Sequence, residues 1–83
     1  MTHGMICCPQ PEAADAGADI LSQGGNAVDA AIACALVQGV VDPLMCGIAG
    51  FGSMHLYLPG SDTHEFIDFH GRAPQAATPD MWA

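Results

Sequence analysis

Polar side chains almost vanish between Ala27 and Val41: in AVDAAIACALVQGVV only Asp29 and Gln38 are polar. A run of that length without period-two alternation reads as a helix, and a helix without a polar stripe reads as covered on every face. Asn26 marks its start as a cap, with Asp29 three positions on at the positive end of the helix dipole. Asp42-Pro43 marks its end, since the residue ahead of proline is pushed out of helical backbone space. A helix over 27–41 rises only about 22 Å, short of the ~20 residues a bilayer crossing needs. It reads as a core helix.

Upstream, Met5 to Cys8 is a short apolar run stopped by Pro9, which predicts a short strand. Pro11, Glu12 and Asp15 suit the first turns of a helix. Ala13, Gly17, Ile20 and Leu21 then share one face while Glu12, Asp15, Asp19 and Ser22 share the other, so this helix packs on one side only. Gly24-Gly25 closes it, and the three residues Gly24-Gly25-Asn26 predict a tight corner into the core helix. Past Pro43, a glycine-rich stretch from Leu44 to Gly52 follows a helix and opens a strand. Phosphate loops run in the opposite order, so that reading is set aside. Met54, Leu56 and Leu58 alternate with His55 and Tyr57, Pro59 to Asp62 is turn chemistry, and Glu65, Ile67 and Phe69 alternate with Phe66, Asp68 and His70. That is an antiparallel hairpin. Thr78-Pro79-Asp80-Met81-Trp82 resembles the first turn of a further helix.

Composition changes the picture in two ways. The chain has 83 residues, 51% of them hydrophobic, a heavy apolar load for a body that buries only about 60–65% of its unfolded surface. A fully sheathed helix in so short a chain predicts that part of its cover lies in other residues. One Arg against nine acidic residues gives a formal net charge of −8. Nucleic acid and anionic membrane surfaces, both of which recruit clustered cations, are therefore not expected partners. Cys7, Cys8, Cys34 and Cys46 contain no CxxC pair and are expected to be reduced, with Cys34 acting as a small core hydrophobe. With no charged leader and hydrophobic region at the start, a cytoplasmic location is expected, or a periplasmic or extracellular one if the native start lies upstream.

Ala14 to Leu21 followed by Gly24-Gly25-Asn26-Ala27-Val28-Asp29-Ala30-Ala31 resembles the start of the γ-glutamyltranspeptidase family. Val40, Pro43, Gly47-Ile48 and Gly50, and then Ala76-Ala77-Thr78-Pro79-Asp80-Met81, resemble later family stretches in the same order. The resemblance implies an α+β fold: residues 1–83 as the N-terminal portion of an αββα Ntn-hydrolase sandwich, made of a short strand, two helices and a hairpin, and incomplete alone. It implies a precursor that cleaves itself into large and small subunits, and an N-terminal threonine nucleophile, outside this chain, that uses its own α-amine as base. The implied partners are the rest of the large subunit, the small subunit and a small γ-glutamyl substrate, with no cofactor and no metal. The alternatives are a truncated or degenerate, non-catalytic family member, or one acting on a different amide.

Two stretches bear on the chemistry. Asp62-Thr63-His64 superficially resembles the family's cleavage-site threonines, but Thr63 falls in the hairpin turn and reads as an ordinary turn residue. The resemblance also implies a donor-carboxylate arginine in a D.RE.AP pattern. Here the matching stretch is Asp68-Phe69-His70-Gly71-Arg72-Ala73-Pro74, with His70 in the arginine's place and Arg72 two residues later. In an extended segment two residues restore the same face, so Arg72 and His70 are the candidate substrate-binding residues. A surface arginine paired with an acidic neighbour is the competing reading of Arg72. His55 and His70, on neighbouring predicted strands, lack the further ligands a zinc site needs.

Overall fold

The computed structural model describes residues 4–48 and 51–82, and the chain divides into two compact units, Met1–Ile48 and Ala49–Ala83. The first unit holds α1 (Pro11–Ser22) and α2 (Ala27–Val41), and the second holds β1 (Ser53–Leu58) and β2 (Thr63–Asp68). The architecture is thus α+β, two helices and an antiparallel hairpin, as the sequence pattern predicts. Among the described residues no helix is long and apolar enough to cross a membrane.

The corner between the helices is fixed at both ends. α1 closes with Gln23 as C-cap and Gly24 in left-handed space at φ 93°. The Gly25 N–H donates to Ile20 O at 2.9 Å and the Gly24 N–H to Leu21 O at 3.2 Å. These two bonds form the Schellman closure, which satisfies carbonyls that a helix end otherwise leaves open. One residue later α2 begins with a capping box: Asp29 N–H donates to Asn26 Oδ1 at 2.9 Å, and Asn26 N–H donates back to Asp29 Oδ2 at 3.1 Å. Gly25 is glycine for a steric reason, because a Cβ there would stand 2.5 Å from Ile20 Cγ2.

The helices meet through small residues. Ala13 of α1 and Ala30 and Cys34 of α2 are buried, as is Gly17. A Cβ on Gly17 would lie 3.3 Å from Ala30 O and 2.8 Å from Ile6 Cγ1, so the glycine admits both the facing helix and the leading segment. Cys34 Sγ donates to Ala13 O at 3.1 Å, a bond that bridges the two backbones. Burial first, and then the hydrogen bond it donates to the neighbouring Cys8, push the Cys34 thiol up to about 11. It is a neutral thiol at neutral pH.

One expectation changes. Met5–Cys8 carries no strand pairing, and among the described residues the sheet consists of β1 and β2. Its apolar side chains are used against helices instead: Ile6 over Gly17, and Cys8 beside Cys34 and Gln38. α2 has the bounds and caps predicted, and its cover among the described residues is one-sided, which leaves the rest to other residues as its apolar load predicts. Ala30, Cys34 and Gln38, spaced four apart, form the buried stripe, while Ile32, Leu36 and Val40 are 50%, 53% and 78% exposed. α1 and the leading segment cover the side of α2 that carries Ala30, Cys34 and Gln38, and Ile32, Leu36 and Val40 lie outside that cover. Gln38, the polar residue in that stripe, accepts from Cys8 Sγ at 3.6 Å.

The C-terminal end of α2 is set by Asp42, outside helical space at φ −136°, with Cys46 and Met45 N–H groups closing the turn onto Asp42 O. Of the glycine-rich stretch, Ala49 and Gly50 lie outside the described residues.

The corner should be sensitive in a graded way. Asn26→Ala removes one cap bond and should cost about 1 kcal/mol. Gly25→Ala should cost more, because its methyl meets both Ile20 Cγ2 and, at 2.9 Å, Ile20 O. Urea unfolding of the full-length protein checks the ranking. A higher midpoint for Gly25→Ala than for Asn26→Ala would show that the corner is not sterically closed.

Candidate functional site

The candidate residues sit at the outgoing end of the hairpin. β1 and β2 pair antiparallel with Ser53 opposite Asp68, His55 opposite Phe66 and Leu58 opposite Thr63. Met54, Leu56 and Leu58 are half-buried while Ser53, His55 and Tyr57 are exposed, the alternation expected of a strand with one covered face. At the tip, Asp62 adopts φ 50°, a left-handed geometry aspartate tolerates, and its Oδ1 accepts from Tyr57 Oη at 3.0 Å. Thr63 opens β2 with its hydroxyl 2.7 Å from Ser61 Oγ. It is a hairpin residue, but the first of β2, paired with Leu58, one position beyond the turn in which the sequence placed it.

Beyond the last paired rung the Phe69 N–H donates to Gly52 O at 3.0 Å, extending the ladder one step. The Phe69 ring lies over Gly52, where any Cβ would collide with it. This anchor holds the chain in register as it leaves the sheet toward His70. There Asp68 turns its carboxylate along the chain: Oδ1 accepts from the His70 N–H at 3.1 Å and contacts His70 Nδ1 at 2.5 Å. His70 and the Phe51 ring meet edge to face at a centroid distance of 5.7 Å. The His70 side-chain bond, then its backbone bond, hold the Asp68 carboxyl below the usual carboxylate range.

Arg72 is exposed and forms no ion pair among the described residues. The acidic partner that would make it a surface pair is thus absent from that set. His70 and Arg72 are separated by Gly71, and His70 alone is tied to an acid. Sequence reasoning passed over Asp68 and Phe51. The signal for Asp68 was its two-residue spacing from His70, which returns a side chain to the same face of an extended segment.

His70 lies beyond the end of β2, not on a strand beside His55 as the sequence predicts. The neighbour of His55 is the His64 ring, at 5.4 Å between centroids. Among the described residues no group of three His, Cys, Asp or Glu side chains is placed to hold a metal ion. The first unit carries an open cavity of about 340 Å³ lined by Ala35, Leu36, Gly39, Val40, Gly47 and Ile48. Its lining has no charged group, so it offers nothing to a carboxylate.

A family model described as gamma-glutamyltranspeptidase matches residues 13–83. The chain belongs to that family. It is 44% identical over 79 residues to the glutathione hydrolase proenzyme of Bacillus subtilis strain 168, a match covering 95% of this chain and 14% of the relative. It is 43% identical over 81 residues to the acylase ACY 1 proenzyme of Pseudomonas sp. strain V22, covering 98% of this chain and 14% of that protein. Among solved structures it superposes on the gamma-glutamyltranspeptidase of Pseudomonas nitroreducens, complexed with L-DON, with a TM-score of 0.86 and 39% identity. That match covers 99% of this chain and 24% of the other. The chain therefore spans about a seventh of the curated relatives' length.

The Asp68–His70 contact of this γ-glutamyltranspeptidase-family chain carries a pH signature. A carboxyl held below its ordinary value favours the folded geometry above that value and loses the advantage as pH falls through the depressed one. The His70 amide resonance in the full-length protein should therefore titrate with a midpoint below 3.8, the ordinary aspartate value. A midpoint at or above it, or no change in Asp68→Asn, would show that the contact does not form in solution.

Proposed function

We propose that residues 1–83 are the N-terminal fragment of an Ntn-hydrolase domain that cleaves γ-glutamyl amides and transfers the γ-glutamyl group to water or an amine. The family match over residues 13–83 is the observation that carries this reading. In it the chain contributes scaffold and one wall of the donor pocket. The threonine nucleophile lies elsewhere in the same precursor, in the small subunit, and needs neither metal nor cofactor, since its own α-amine takes the proton. The rest of the large subunit and the small subunit would cover the faces of α2 that hold Ile32, Leu36 and Val40.

Arg72 and His70 are the proposed substrate-binding residues, with unequal roles. Arg72 is exposed with no ion pair among the described residues, so its planar fork remains open to a donor α-carboxylate. His70 donates to Asp68 through its backbone N–H and touches it through Nδ1, an arrangement suited to orienting the segment. Leaving a carboxylate unpaired on removal from water is costly, so a donor site needs such a cation.

The test uses the full-length protein and a γ-glutamyl anilide. Arg72→Ala should raise KM by a factor of roughly ten or more, the loss of a charged hydrogen-bonding pair worth about 1.5–3 kcal/mol. Arg72→Lys should recover part of that, because lysine presents a point charge rather than a fork. An unchanged KM in Arg72→Ala removes Arg72 from the site, and no γ-glutamyl turnover by the parent overturns the activity. The 83-residue chain alone should give no turnover above background.

A second reading is amide hydrolysis of a different acyl group. It is favoured by histidine standing where the family pattern has arginine, and by a relative named an acylase at nearly the same identity. Faster turnover of an acyl anilide lacking an α-carboxylate than of the γ-glutamyl anilide would select it.

A further inference from the structure

The leading segment meets α2 through sulfur. Cys34 Sγ, buried on α2, lies 2.9 Å from Cys8 Sγ, across 26 residues of chain. That is within about 1 Å of the covalent S–S distance, so closure asks for little backbone movement. Cys8 is half-buried and contacts Gln38 Oε1 on its other side, while Cys7 beside it is exposed and Cys46 half-buried. The pair thus combines one thiol that solvent reaches with one that solvent does not.

We propose that Cys8 and Cys34 form a modification site, a dithiol that small disulfides oxidise to an internal disulfide joining the leading segment to α2.

The chemistry runs in a fixed order. Cys8 loses its proton to solvent, and its thiolate attacks one sulfur of a small disulfide R–S–S–R. The S–S bond breaks, one RS⁻ leaves and takes up a proton, and Cys8 carries a mixed disulfide. Cys34 then attacks Cys8 Sγ as its own proton is lost. The second RS⁻ leaves with a proton, and the Cys8–Cys34 bond is formed. Two thiols are oxidised and one disulfide is reduced to two RSH. Cys34 is the resolving partner, because its burial leaves Cys8 Sγ as the sulfur it can reach and keeps its thiol protonated until then. The bond would fix Gly4–Cys8, a segment without strand pairing, onto the helix pair.

The experiment treats the full-length protein with 2-hydroxyethyl disulfide, which carries no γ-glutamyl group and is independent of the proposed activity. The sample is then alkylated and mapped by mass spectrometry. Cys8 and Cys34 should be linked with a loss of about 2 Da, resistant to alkylation and restored by dithiothreitol. Cys7→Ser should leave the crosslink intact. Cys34→Ala, which keeps an apolar group in the core, should stop at a mixed disulfide on Cys8, and Cys8→Ser should leave Cys34 a free thiol. A wild-type protein that stops at the mixed disulfide, or a crosslink that survives in Cys8→Ser through Cys7, overturns the proposal.

Discussion

Two helices joined by four residues, Gln23 to Asn26, are held together only if their backbones come close, and that closeness is the constraint on which the first unit depends. Bulky side chains along the seam would separate the axes. Ala13, Gly17, Ala30 and Cys34 keep the seam thin enough for a thiol on one helix to reach a carbonyl on the other. Ile6 then has a glycine to lie on, and Cys8 has a neighbour at sulfur distance. Such a seam buries little area, so close approach and backbone-directed hydrogen bonds do part of the work that large side chains do in thicker cores.

The second unit solves a different problem, that of presenting charge at the end of a sheet. Phe69 over Gly52 prolongs the ladder by one rung and delivers the chain to His70 in a set orientation. Both His70 contacts fall on the same oxygen of Asp68, Oδ1. One carboxylate therefore fixes both the ring and the backbone of the residue where the family pattern has arginine. In a chain with a formal net charge of −8 and one arginine, keeping that acid occupied limits its competition for the guanidinium two residues on.

Much of this was legible in the sequence because it is written locally. Asn26 with Asp29, the Gly24-Gly25 pair and Asp42-Pro43 act within a turn of where they stand, so the bounds of α2 and the corner follow from short-range chemistry. The hairpin follows from alternation on either side of Pro59-Gly60-Ser61-Asp62. What escaped is non-local. A four-residue apolar run such as Met5–Cys8 has the same pattern whether it pairs with a strand or lies on a helix, because the partner decides. The apolar load of α2 likewise says that its faces seek cover without saying which residues give it. At the candidate site, the identities of His70 and Arg72 were plain, but the engagement of His70 depends on how Asp68 turns its side chain.

The closed corner also bears on how the helix pair comes apart. Helix ends ordinarily fray, and short connections are where chains open and are cut. Here the amides of Gly24, Gly25 and Asp29 are all bonded, and Gly25 sits beneath Ile20 with no room to swing. Loosening the end of α1 pulls on the bonds that hold Gly24 and Gly25, and the start of α2 follows one residue later. The connection thus transmits unfolding instead of absorbing it, and makes the two helices a single cooperative unit whose amides become open to solvent exchange together.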